Sequence, residues 1–278
     1  MERRAYPLQV LHEYAITPEN LEKTIDYINV SHPEELRKLA GVSQARMDLV
    51  PLATEVLAKL TQTFSPETLA VSSFGIREGL LYEQMPQKLR DRDPLLEGAK
   101  FNEQKDARSP GFGKILFRFV SPLFPDMPRS QERLVRAACH LHDVNWRALP
   151  EFRPEVCFDS ITRSSLSGLS HDERVFVGLS MMHRYRSKGL TDRFEDVSRL
   201  LSDEQLFQAE ILGRAMRLGA MLWATDTKDA ARLEWDPDTR NISLLLSRTS
   251  QILFGEVAEA RFASLATALS ATSQVQNQ

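Results

Sequence analysis

Residues 134–146 read LVRAACHLHDVNW. Leu134, Ala137, Ala138 and Leu141 fall at the i, i+3, i+4, i+7 spacing of one buried helical stripe. Ala137, Ala138 and Cys139 are small enough to let neighbouring helices approach closely. The stripe ends on a polar pair, His142-Asp143. An adjacent His and Asp are frequent by chance. They either hydrogen-bond at a helix end or form half of a divalent-metal site, which needs further imidazoles and carboxylates around them.

The rest of the chain sets limits on both readings. With 278 residues there is room for one or two domains and a large core. The net charge of -3 excludes binding of nucleic acid through overall basicity, so an anion must be met by a local patch. No run is long and apolar enough for a membrane span, and MERRAYPLQV lacks the apolar centre of a signal peptide. A cytoplasmic location follows as an expectation. Cys139 and Cys157 are both expected to be reduced, buried thiols on helices.

Residues 8–16 and 69–73 read as strands. Thr17-Pro18-Glu19 starts a helix with a capping hydroxyl, a proline in the first turn and an acid. A short helix over 31–41 closes on Gly41. A longer one over 43–64 is expected to point Leu49, Leu52, Ala53, Val56, Leu57 and Leu60 inward, with a kink at Pro51. Two short strands cannot make a stable sheet. Part of the sheet is therefore expected to lie outside this chain, and an open strand edge should promote self-association. The charged crossing 86–96 marks the domain boundary, giving domains of 1–90 and 91–278. Beyond it helices are expected at 94–107, 110–120, 129–144, 151–167, 171–187 and 203–224. Strands at 231–235 and 241–246, a helix at 255–269 and a frayed polar tail from Ser270 complete the chain. The fold class is α+β and mostly α.

Two separated stretches carry a family resemblance. SSFGIREGLLYE, residues 72–83, resembles the Ser-x-x-Gly-Leu-Arg-Glu-Gly signature of the Ppx/GppA phosphatases. RLVRAACHLHDVNWRALPEFRPE, residues 133–155, resembles the helix that opens the helical C-terminal region of the same family. YPLQVLHEYAIT and ARMD also fall in family order. The resemblance implies the tail of an actin-like (ribonuclease H-like) α/β domain, followed by an HD-like all-α domain with a small terminal αβ element. The family's Asp-x-Gly-Ser-Asn and Gly-Gly-Gly-Ser-x-Glu phosphate loops do not occur here. The chain thus resembles a C-terminal half without catalytic residues of its own.

The activity implied is release of terminal phosphate from inorganic polyphosphate. The alternatives are the 5′-phosphatase reaction on guanosine pentaphosphate and a non-catalytic HD-like module for dimerisation or polyanion binding. Mg²⁺ is implied for the intact enzyme, held by the other half, with no metal on this chain. A homodimer is implied; neither nucleic acid nor membrane is. For the His142-Asp143 pair a degenerate, metal-free scaffold is the expected reading. His140 is poorly spaced as a second ligand, Gly219 stands where a closing aspartate would be, and Asp226 comes too late. Arg77 and Glu78 open a helix after Gly75 and either fix the turn or face a phosphate-bearing cleft. His183, Arg184, Arg186 and Lys188, with Arg174 upstream, form either a solvated basic helix end or an anion-contacting patch.

Overall fold

The computed structural model describes residues 6–186, 192–223 and 230–277. It is a mostly helical α+β chain that divides into two compact units, residues 11–83 and residues 1–10 with 84–278.

The smaller unit contains β1 (Ala15–Ile16), α1 (Pro18–Val30), α2 (Pro33–Ala40), α3 (Gln44–Met47), α4 (Val50–Phe64), β2 (Leu69–Ala70) and α5 (Ile76–Gln84). The Thr17 hydroxyl accepts from the Asn20 N–H and Pro18 opens α1, as the start signal requires. Gly41 ends α2 in the left-handed region, at φ 62°. The two expected strands shrink to two residues each, paired antiparallel as Ala15↔Ala70 and Ile16↔Leu69. Residues 6–10 belong to the other unit, and Leu8 is buried in its core.

The helix expected over 43–64 is broken between Met47 and Val50, and Pro51 occupies the first turn of α4 instead of kinking it. This is where proline costs no hydrogen bond. The larger correction concerns the face of α4. Leu49, Leu52, Val56, Leu57 and Leu60 are exposed, Leu52 by 65%, and only Thr54 of α4 is buried. The periodicity is that of a helix with a core to face, but a two-residue ladder provides no sheet to cover it.

The larger unit begins with α6 (Gln87–Arg90), α7 (Pro94–Asp106) and α8 (Phe112–Val120), followed by a single 3-10 turn at Ser121–Leu123. Next come α9 (Arg129–Leu141), α10 (Arg153–Thr162), α11 (His171–Tyr185), α12 (Asp192–Ser198) and α13 (Asp203–Gly219). The C-terminal element is β3 (Ala231–Asp236), β4 (Asn241–Leu246), α14 (Arg248–Gln251), α15 (Glu256–Ala268) and β5 (Thr272–Asn277). In α9, Val135, Ala137, Ala138 and Cys139 are wholly enclosed, as the stripe demands. Helix α11 runs through the centre, packed by α9, α10 and α13, and is buried from His171 to Arg184 apart from Asp172 and Glu173. A reciprocal box between Ser170 and Glu173 fixes its start.

Close helix approach explains Gly213. A methyl built there would lie 2.5 Å from His183 Cβ and 2.6 Å from the Ser180 carbonyl oxygen on α11. Gly213→Ala is expected to cost about 1–3 kcal/mol by forcing the two helices apart. Urea denaturation would show it, and an unchanged midpoint would refute the tight α11–α13 contact.

Strands β3 and β4 form the expected antiparallel hairpin, with Leu233↔Leu244 at its centre. The tail expected to fray is instead β5, which pairs parallel to β4 from Asn241↔Thr272 to Leu246↔Asn277. Its TSQVQN sequence has no apolar alternation to announce a strand. Its partner's backbone groups supply the reason: β4 is buried on both faces and needs a neighbour on each side.

Candidate functional site

Helix α9 delivers the His-Asp pair just past its last turn, with His142 as C-cap at φ −51°, ψ −27°. Both residues are buried. His142 Nδ1 donates to the Cys139 carbonyl at 2.9 Å, within its own turn. Its ring packs against Phe112, with centroids 5.3 Å apart. Burial, reinforced by the neighbouring Arg184 charge, pushes the imidazole down to about 3, so it is neutral at physiological pH.

Asp143 is engaged by arginine. Arg108 Nε donates to Oδ2 at 2.8 Å and Arg108 Nη2 to Oδ1 at 2.7 Å, a two-pronged fork. The Arg108 backbone N–H adds a third bond at 3.2 Å, and Arg184 Nη2 lies 3.8 Å from Oδ1. Burial works to raise the carboxyl, but the Arg108 bonds and nearby positive charge hold it below the usual range. The Arg108 guanidinium also lies over the Trp146 ring, 5.5 Å from its centroid.

A second buried acid stands alongside. Glu103 Oε2 meets His140 Nδ1 at 2.6 Å, and Oε1 accepts the N–H groups of Gly113 at 2.7 Å and Gly111 at 3.1 Å. Gly113 is required there because a methyl would lie 2.7 Å from His140 Cα. Glu103 and Arg108 were not among the residues singled out in the sequence. Glu103 had a signal: Leu95, Ala99 and Glu103 share one helical stripe, which sets an acid in line with buried apolar residues. Arg108, in the loop after α7, had none.

Arg184 and Tyr185 converge on the other side of the pair. Arg184 Nε donates to the His142 carbonyl at 2.7 Å, and the Tyr185 hydroxyl donates to the same oxygen at 3.0 Å. Arg153 Nη2 donates to the carbonyls of Trp146 and Ala148, both at 2.9 Å. The basic segment is therefore not a solvated helix end. Arg184 and His183 are buried, and Arg174 is fully enclosed with its Nη atoms on the Ser164 and Leu166 carbonyls, at 3.0 and 2.8 Å. Arg186 is half-buried, and Lys188 lies outside the described residues, as does Asp226. Burial pushes His183 down to about 4 against the opposing pull of Glu210.

Arg77 and Glu78 lie in the smaller unit. Glu78 Oε2 accepts the Gly75 N–H at 2.7 Å, which holds its carboxyl below the usual range. Among the described residues no ion pair joins Glu78 to Arg77, so the turn is fixed by Glu78 and backbone.

This donor set does not suit a divalent cation. Both Asp143 oxygens carry guanidinium donors, and no group of three or more His, Cys, Asp or Glu is placed to hold a metal among the described residues. At Gly219 a side chain would strike Leu116 and Phe119 at 2.7 Å, so that position faces an apolar wall. The thiols are equally quiet. Cys139 and Cys157 are free and buried, and burial raises Cys157 to about 12. Chemically, the cluster is a neutralised knot that ties α7, α9 and α11 together. No described helix is long and apolar enough to cross a membrane.

Residues 106–274 match the family described as Exopolyphosphatase, C-terminal, and residues 1–88 match the Ppx/GppA phosphatase family. Among curated proteins, Retrograde regulation protein 2 of Saccharomyces cerevisiae is 25% identical over 200 residues. That alignment takes in 66% of this chain and 32% of the yeast protein, so the chain spans about a third of its relative.

Proposed function

Because the chain belongs to the Ppx/GppA phosphatase family, we propose that it serves as the C-terminal part of an exopolyphosphatase-type hydrolase acting on inorganic polyphosphate. The observation that carries this division of labour is the Arg108–Asp143 fork. In-line attack of water at phosphorus needs a base for the water and cations or N–H groups for the developing oxygen charge. Asp143 is already bound on both oxygens, and His142 is turned onto its own helix. The helical unit therefore supports and extends a substrate path, while Mg²⁺ and the general base belong to an upstream part of the enzyme. On this reading the larger unit is an HD-like scaffold without its metal, and the smaller unit is the end of an actin-like domain. Arg77 and Glu78 then border the phosphate-bearing cleft.

The 278-residue chain with Mg²⁺ is expected to release no phosphate from polyphosphate above a protein-free blank. The same chain joined to the phosphate-loop half of a family member is expected to hydrolyse polyphosphate. Release by the chain alone would refute the scaffold assignment. Hydrolysis of guanosine pentaphosphate only would move the chain to the other branch. A second, non-catalytic reading is favoured by the yeast relative, whose name describes regulation. Inactivity of the joined protein on both substrates would select it.

A further inference from the structure

The chain carries a cluster of guanidinium groups that the His142-Asp143 knot does not use. Arg214 and Arg217 stand one turn apart on α13, and Arg261 and Ser264 one turn apart on α15, a helix packed against α13. The register between the helices is fixed at one point: Arg214 Nη1 donates to the Ser264 hydroxyl. Arg214 is also neutralised, with Nε and Nη2 on Glu210 Oε1 at 2.8 and 2.6 Å. Arg217, one turn from Arg214 on α13, and Arg261, one turn from Ser264 on α15, lie near enough for their charges to repel. Both are half-buried, and among the described residues neither has a hydrogen bond or ion pair. Arg217 is held down to about 10, first by burial, then by the repulsion of Arg261, Arg184 and Arg214; among the described residues no acid acts on it.

Two partly buried like charges without an acid are costly. An anion with several oxygens, spanning both guanidinium forks, relieves that cost and satisfies their donors at once. We propose that Arg217 and Arg261, with Arg214 at their rim, form a binding site for a phosphate-type oxyanion between α13 and α15. A free inorganic phosphate and the internal phosphates of a longer polyanion present the same oxygens. The site stands on the arginine geometry; only the choice of polyphosphate as its natural occupant rests on the phosphatase reading.

The test is calorimetric titration and thermal unfolding of the 278-residue chain at constant ionic strength. The probes are inorganic phosphate, tripolyphosphate and chloride. Saturable binding of phosphate or tripolyphosphate, with none for chloride, is expected. Tighter binding of tripolyphosphate would mark a polyanion path, and equal affinities a single-phosphate site. Arg217→Met and Arg261→Met are each expected to weaken binding at least tenfold. Each should also raise the melting temperature without anion, because the repulsion is gone. A merely structural arginine would lower it. Should Arg217→Met fail to fold, Arg261→Met decides. Absence of saturable binding, equal response to chloride, or variants that bind within twofold of the parent would each overturn the site, whether or not the joined enzyme hydrolyses polyphosphate.

Discussion

Acidification from pH 6.5 to 4 is expected to destabilise the larger unit, with a slope that approaches about 1.4 kcal/mol per pH unit for each of two histidines in the middle of that window. His142 and His183 titrate near 6.5 in an unfolded chain, but burial holds them at about 3 and about 4 in the fold. Between these values the unfolded chain takes up protons that the folded chain refuses. The stability contributed by keeping these rings neutral is complete above pH 6.5 and is lost as pH falls towards the folded values. The depressed carboxyls of Glu103 and Asp143 add to the loss below their ordinary values. Total stabilities of single domains are about 5–15 kcal/mol, so this loss is a large fraction of the total. Trp146, Trp223 and Trp235 all lie in the larger unit, so tryptophan fluorescence under urea reports on it alone. His142→Gln and His183→Gln should each remove about half the slope. A free energy independent of pH across this range would show that the imidazoles are solvated.

The second large effect belongs to Asp143→Ala. Removing one member of a buried ion pair costs about 3–5 kcal/mol, because the partner charge stays behind. Of the two arginines, Arg108 is 59% exposed at its side chain and can turn to water, whereas Arg184 is only 7% exposed. The penalty should therefore come mostly from Arg184. Combining Asp143→Ala with Arg184→Met is expected to recover part of the loss, since replacing both partners leaves no unpaired charge. Purely additive costs in the double variant would show that the two residues do not share the knot.

How much of this was legible beforehand depends on which partner each residue needed. Leu134, Ala137, Ala138 and Leu141 sit in the core because a helical stripe encodes burial in its own spacing. The β3–β4 hairpin was readable from its turn-rich link for the same local reason. The face of α4 was misread inward because periodicity reports the need for a core without showing whether one is present. Strand β5 was missed because its pairing is set by the open side of β4, not by its own residues. The pair His142-Asp143 was visible in the sequence; Arg108, which decides its chemistry, lies 35 residues away in a loop without a pattern.

The parallel pairing of β5 has a consequence for biosynthesis. Antiparallel β4 can join β3 as soon as the Asp236–Asn241 turn is made, whereas a parallel neighbour requires the chain to cross over through α15 first. Until residues 272–277 leave the ribosome, NISLLL on β4 presents one open edge, and it is apolar, uncharged and free of proline. A polar six-residue strand made later in synthesis than the rest of the sheet thus closes that edge last. A chain cut before Thr272 would then expose an aggregation-prone edge that the chain with residues 272–277 covers.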